Sequence, residues 1–466
     1  MNKTHLSCLV LSCLFGTALC LNAQISLPSI FTDHMVLQQN SKVAIWGWGG
    51  ASNTIKVVGS WAPADTAKAV VASDGSWKTS LTTIKAGGPY TISITGSGEK
   101  TLQDVMLGEV WLCSGQSNMD FNAEWGLKNK ETEIAAANHP NLRFFQVLKR
   151  GAATPQNNCE ATWATCTPDV MKITSSVAYF FGRNLQDSLK VPIGLIVSAW
   201  GGTPAEVWTP KENIMANESI VKAIPAKTYP WWPVEPGVLY NQMINPFVPY
   251  GIAGAIWYQG EANVDHSSSY ATLLKTMIES WRKSFEKEFP FYIVQIAPYT
   301  YKSNDNGPAK VREAEEWVSK NISQSGLVVV SDLVNNIKDI HPINKQDVGL
   351  RLAKLAISQT YGKVSPGYAS PLFEKMRIDK DKIILTFNHA ENGLICKGKQ
   401  VVGLTIAEEN GSFVNAKAKI KGNELIVSAP KIKHPAKVEY CFDDATVGNL
   451  FNAEGLPVAP FRTNAE

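Results

Sequence analysis

The chain has 466 residues, too long for one ordinary domain and enough for about two to four. Hydrophobic residues make up 44% and charged residues 18%, which excludes a disordered or fibrous protein and allows sizeable cores. Forty-four basic against 41 acidic residues leave a formal charge of +3 with no Lys/Arg run, which argues against a nucleic-acid partner.

The first segment reads as an export signal. Lys3 supplies a positive start, residues 6–21 are apolar or small, and Ala23 offers a cleavage point, so residues 1–23 are expected to be removed from a periplasmic or secreted protein. Cys20 raises lipid anchoring as an alternative, but Leu19 before it is large where such a site calls for a small residue. No later stretch is long and apolar enough to span a bilayer. Five cysteines remain: Cys113, Cys159, Cys166, Cys396 and Cys441. Their spacing matches no zinc pattern, Cys159 with Cys166 and Cys396 with Cys441 are candidate disulfides, and Cys113 reads as a buried small hydrophobe.

Residues 24–103 are β-like, with short alternating runs at 43–48, 54–58 and 90–94 punctuated by Asp74-Gly75-Ser76 and Gly87-Gly88-Pro89, as in a small β-sandwich. From 104 to 365 the period changes. Apolar strands at 105–113, 193–199, 252–258, 291–296 and 327–330 alternate with helical patterns at 175–189, 270–285, 309–320 and 345–361. Strands apolar on both faces, alternating with helices, predict an α/β domain with a mostly parallel sheet covered on both sides. The proline-rich interval 209–249, containing Trp231 and Trp232, reads as an irregular surface excursion. Residues 366–466 return to β character with turns at Asn410-Gly411 and Lys421-Gly422-Asn423, a second β domain.

Chemistry concentrates at the ends of the apolar strands. Ser117 follows strand 105–113 across a tight Ser114-Gly115-Gln116 turn, which places a hydroxyl at the carboxyl edge of the sheet. The same tripeptide is also compatible with a plain turn or helix cap. Met119 stands where the Gly-x-Ser-x-Gly elbow has its second glycine, so an ordinary α/β-hydrolase does not fit. His341 lies on a loop with Asp339 two residues before it and Pro342 after it, and Asp332 is a rival for the carboxylate role. An imidazole beside an acid can take a serine proton, so Ser117 and His341 are expected in hydrogen-bond contact. Gly201, Gly202 and Asn263 also follow strand ends and are candidate oxyanion donors. The scattered histidines give no metal site, and no cofactor is implied.

The ordered blocks resemble the SGNH/GDSL hydrolase superfamily and, within it, the sialate O-acetylesterase family of carbohydrate esterases. The matching text is Gly115-Gln116-Ser117-Asn118-Met119, Gly201-Gly202-Thr203-Pro204-Ala205-Glu206-Val207-Trp208, Trp257-Tyr258-Gln259-Gly260-Glu261-Ala262-Asn263 and Asp339-Ile340-His341-Pro342 with Lys345. The resemblance implies an SGNH-type, flavodoxin-like sheet, with Ser117 as nucleophile and His341 as general base. It also implies Ser117 N–H, a glycine of the Gly201-Gly202 pair and Asn263 as oxyanion donors. Asp339 departs from the superfamily's usual acid three residues before the histidine. Gln116, Gln259, Glu261 and Arg312 are expected to shape the substrate site. The implied activity is removal of O-acetyl groups from carbohydrate through an acetyl-serine, with O-acetylated sialic acid as first substrate and Arg312 or Lys345 meeting its carboxylate. An acetylated plant hemicellulose (xylan or xyloglucan) is the alternative, with Trp231 and Trp232 as its groove. A non-catalytic carbohydrate-binding surface protein is the reading from another class.

Overall fold

One strand, Gly98–Gly115, organises the molecule; the computed structural model describes residues 24–224, 228–301, 305–364 and 367–463. The expected signal segment, residues 1–23, lies outside the described residues. The first part of the strand pairs antiparallel with Gly87–Gly96, in the N-terminal β layer built with Thr54–Gly59 and Thr66–Val70. Its second part pairs parallel with Ile193–Ala199 on one side and Gly254–Tyr258 on the other. The domain boundary expected at residue 103 therefore falls inside a continuous strand, so the β layer and the α/β layer share a backbone.

The sheet order is Ser325–Val328, Phe291–Val294, Gly254–Tyr258, Gly98–Gly115, Ile193–Ala199, His139–Gln146 and Trp163–Cys166. All neighbours are parallel except the last pair, which is antiparallel. That edge pair was not anticipated, because His139–Gln146 opens on exposed polar positions and Trp163–Cys166 is four residues long. Without the edge pair the order is the 2-1-3-4-5 of flavodoxin-like sheets. Alternation along the central strand explains the two cores: Val110 and Leu112 pack with Tyr270 and Trp281 on one face, Trp111 and Cys113 with Phe181 and Leu352 on the other. Helices Ser176–Leu189 and Lys345–Gln359 pack together over the second face, while Tyr270–Ser284 and Gly307–Asn321 pack together over the first.

Residues 367–463 form antiparallel sheets around a third core that includes Leu385, Ile406, Val427 and Val438. Arg462 clamps this region to the α/β layer through both oxygens of Glu313, at 2.8 and 3.0 Å. All five described cysteines are free, so neither candidate disulfide is formed, and Cys113 is buried as expected. Among the described residues no helix is long and apolar enough to cross a membrane, and no cluster of three or more His, Cys, Asp or Glu could hold a metal.

Candidate active site

The turn carrying Ser117 is forced by close packing at the sheet's carboxyl edge. Gly115 has φ +141°, and a Cβ there would sit 2.2 Å from the Tyr258 carbonyl oxygen, so only glycine lets the two strands end side by side. Ser117 then opens a one-turn helix, Ser117–Asp120. The Gln116 side-chain oxygen accepts from Gly260 N–H at 3.3 Å and Ala262 N–H at 3.2 Å, which ties the next strand's loop to this turn. The third strand end brings Gly201 against the serine: a Cβ on Gly201 would lie 3.2 Å from Ser117 Cβ. This is the topological switch point of the sheet, where open α/β folds bind ligands.

Ser117, Gln116, Gly201, Gly202, Glu261 and His341 all line one cleft of about 910 Å³. His341 is half-buried between the rings of Phe121 and Trp125, at centroid distances of 6.5 and 6.2 Å. Its Nδ1 stands 3.9 Å from Asp339 Oδ1, and its Nε2 is buried with no hydrogen-bond partner. The expected Ser117–His341 hydrogen bond is therefore not formed, although the two side chains share the cleft. Catalytic contacts of this kind commonly tighten once substrate is bound. Burial first, then the Lys345 ammonium, pull the imidazole below its ordinary pKa of 6.5, while Asp339 opposes them. Asp339 also accepts from the His341 backbone N–H at 2.9 Å, so it builds the turn that presents the ring.

Several expected site residues lie elsewhere. Asn263 is buried behind the cleft: its Oδ1 accepts from Ala205 N–H at 3.0 Å and Gln259 Nε2 at 2.8 Å, and its Nδ2 donates to Glu206 at 2.9 Å. It braces the turn after Gly202 and does not reach the cleft wall. Gln259 is equally buried, bonded to Thr203 O and Tyr270, because its position on the strand end points it into the first core. Arg312 is buried on helix Gly307–Asn321 and donates to Asp443 O, which makes it a link to the C-terminal region. Asp332 is bound by both arms of Arg351 at 2.7 Å, which removes it as a partner for His341. Lys345 is fully buried and cannot meet a substrate carboxylate.

The cleft also holds groups that motif reading missed. Asp120, three residues past the serine, is buried and accepts from Lys149 Nζ at 2.6 Å. Burial raises its pKa, opposed by Lys149 and by the Gly201 N–H. Its spacing from Ser117 was the available signal, since i and i+3 share a helix face; Lys149, on the loop after strand His139–Gln146, offered none. Aromatic rings form much of the wall: Trp125, Trp200, Tyr229, Trp231 and Trp232.

Residues 107–358 match the family described as carbohydrate esterase, sialic acid-specific acetylesterase. The chain belongs to this family. Human sialate O-acetylesterase is 31% identical over 412 residues, covering 78% of this chain and 76% of the relative. The mouse sialate O-acetylesterase is 29% identical over 439 residues, covering 78% and 80%. Among solved structures, a carbohydrate acetylesterase from Xanthomonas citri superposes with a TM-score of 0.86 at 32% identity, over 95% of this chain and all of that one (100%). The esterase thus has the SGNH-type sheet with flanking β regions that its ordered blocks implied. Membership of an esterase family sets aside the non-catalytic reading.

Proposed function

We propose that the esterase removes O-acetyl groups from carbohydrate with Ser117 as nucleophile and His341 as general base. The observation that carries this is the shared cleft, lined both by a serine at the switch point and by an imidazole whose Nε2 is buried and unpartnered. In the first step Ser117 Oγ attacks the acetyl carbonyl while Nε2 takes its proton. The developing oxyanion lies between Ser117 N–H and the Gly201–Gly202 turn, which Asn263 braces from behind and Asp120, in the cleft, holds by accepting from the Gly201 N–H. His341 returns the proton to the departing sugar oxygen, and water activated by the same imidazole then releases acetate from Ser117. The lowered pKa keeps His341 neutral near pH 7, as a proton acceptor must be. The export signal read in residues 1–23 would deliver the enzyme to glycans outside the cytoplasm.

The family description and the named relatives point to O-acetylated sialic acid as the first substrate. A neutral acetylated polysaccharide is a second reading, favoured by the cleft wall. Lys149 is the one Lys or Arg lining it among the described residues, and Asp120 already neutralises it. Aromatic faces suit sugar rings through apolar contact, without any charge on the ligand. Acetate release from acetylated sialic acid, xylan and xyloglucan, by wild type and Ser117→Ala, tests both. A folded Ser117→Ala protein that still releases acetate sinks the assignment.

A further inference from the structure

Ser117 and His341 arrive from distant parts of the chain, and one side chain joins their segments directly. Asn118, next to Ser117 and fully buried, donates from Nδ2 to the carbonyl of Ile340 at 3.0 Å, the residue before His341. The same Nδ2 donates to Glu261 Oε1 at 2.6 Å, and Oδ1 accepts from Lys345 Nζ at 2.6 Å. One amide therefore ties the serine turn, the loop after strand Gly254–Tyr258 and the histidine loop. Its orientation is single-valued, because an ammonium can only donate and the backbone carbonyl can only accept.

We propose that Asn118 is a positioning residue, a strut locked by Lys345 and Glu261 that sets the separation of Ser117 and His341. This rests on the catalytic assignment above.

Burial disfavours both locking groups, and helix position disfavours Lys345 as well, which is why packing alone does not account for them. Lys345 is the first residue of helix Lys345–Gln359, where the helix dipole opposes a cation. It is completely buried, with Nζ 4.7 Å from the Phe121 ring centre and 5.5 Å from that of Tyr258. Burial pulls its pKa down to about 7. Glu261 is buried with Oε2 unpartnered, and burial raises its pKa. An apolar pair of similar volume would ordinarily fill such a space with less penalty. Local rules broken together at one point mark functional sites, and here both breaches meet on Asn118.

The test is steady-state kinetics on an aryl acetate, with folding checked by circular dichroism. Asn118→Asp keeps the shape but turns the donor into an acceptor facing Glu261 and the Ile340 carbonyl. A misplacement of about 1 Å costs about 10²-fold in rate, so kcat falls by that factor with KM within about threefold. Phosphonylation of Ser117 by an organophosphate slows in parallel. Lys345→Met removes one lock and lowers kcat about tenfold. It also moves the acid limb of kcat/KM to higher pH, because a positive charge near His341 is gone. The other charged groups around His341 are unchanged: Asp339 on its own loop, Glu261 across the strut, and Asp120, Lys149, Asp265 and His266 along the cleft. The double variant loses no more than Asn118→Asp alone, as coupled residues do. A folded Asn118→Asp enzyme with kcat within threefold of wild type overturns the strut, as does full multiplicativity in the double variant. Should Asn118→Asp not fold, Lys345→Met decides alone: unchanged kcat and an unmoved acid limb overturn the proposal. Ser117→Ala separates the two levels, since an active Ser117→Ala refutes the catalytic assignment and the strut with it. An inactive one beside a fully active Asn118→Asp refutes the strut alone.

Discussion

Replacing Gly201 with alanine probes the oxyanion side of the site with a single methyl group. The added carbon would lie 3.2 Å from Ser117 Cβ, 3.5 Å from Ser117 Cα and 3.9 Å from Asp120 Oδ2. Carbon pairs are most comfortable at about 3.5–4.0 Å, so the serine turn and the glycine turn must separate by a few tenths of an ångström. Gly201 is not among the glycines with left-handed φ, so its backbone accepts alanine and the fold should survive with stability changed by less than about 1 kcal/mol. Scaled from about 10²-fold per ångström of misplacement, the shift alone gives about a tenfold loss of kcat. Alanine keeps the backbone N–H, so a loss toward about 10²–10³-fold would mean that the displaced turn no longer donates to the oxyanion. Gly202→Ala is the informative contrast: at φ +79° its Cβ would fall 2.6 Å from the Trp232 ring, so it loses about 1–2 kcal/mol of stability to backbone strain and raises KM. The assay is aryl-acetate hydrolysis beside thermal unfolding. A Gly201→Ala enzyme with normal melting and kcat within twofold of wild type would refute the placement of the oxyanion.

The pH profile follows from His341. Only the neutral imidazole takes the serine proton, and its pKa is lowered by burial and Lys345, so kcat/KM should rise with pH through a midpoint below 6.5 and then level off; a midpoint above 7 contradicts this. Arg312→Met should leave KM for acetylated sialic acid and for acetylated xylan within twofold of wild type, because the guanidinium is buried against Asp443; a tenfold rise for the sialic acid substrate would return Arg312 to the site. Trp231 is 67% exposed at the cleft, so Trp231→Ala should raise KM for a polymeric acetylated glycan about fivefold, the equivalent of about 1 kcal/mol of aromatic contact, and leave aryl-acetate kcat unchanged. An equal loss on both substrates would assign Trp231 to the fold.

What the sequence made legible was whatever depends on local pattern. Ile193–Ala199 appears with its expected ends, and the four main helices lie within about two residues of theirs, since apolar period and strand length are written along the chain. The cleft-lining positions of Ser117, Gly201 and Gly202 followed from their places at strand ends, His341 from its loop beside Asp339, and Glu261 from the family resemblance alone. Asn263 and Gln259 sit at such an end too, yet they turn inward, and the direction of a side chain past a strand end depends on the tertiary neighbours it meets. Lys345 and Arg312 show the same limit: a cation in a sequence reads as exposed, and only the fold shows that both are buried. The shared strand Gly98–Gly115 hid the first boundary because nothing in its composition breaks where its partners change.

The most direct measurement is covalent labelling of the active enzyme with a fluorophosphonate, followed by peptide mapping. The catalytic assignment predicts one label per chain on Ser117, loss of esterase activity in step with labelling, and at least about 10²-fold slower labelling in His341→Ala. A label on any other residue, or acetate release that persists after Ser117 is fully modified, would contradict it.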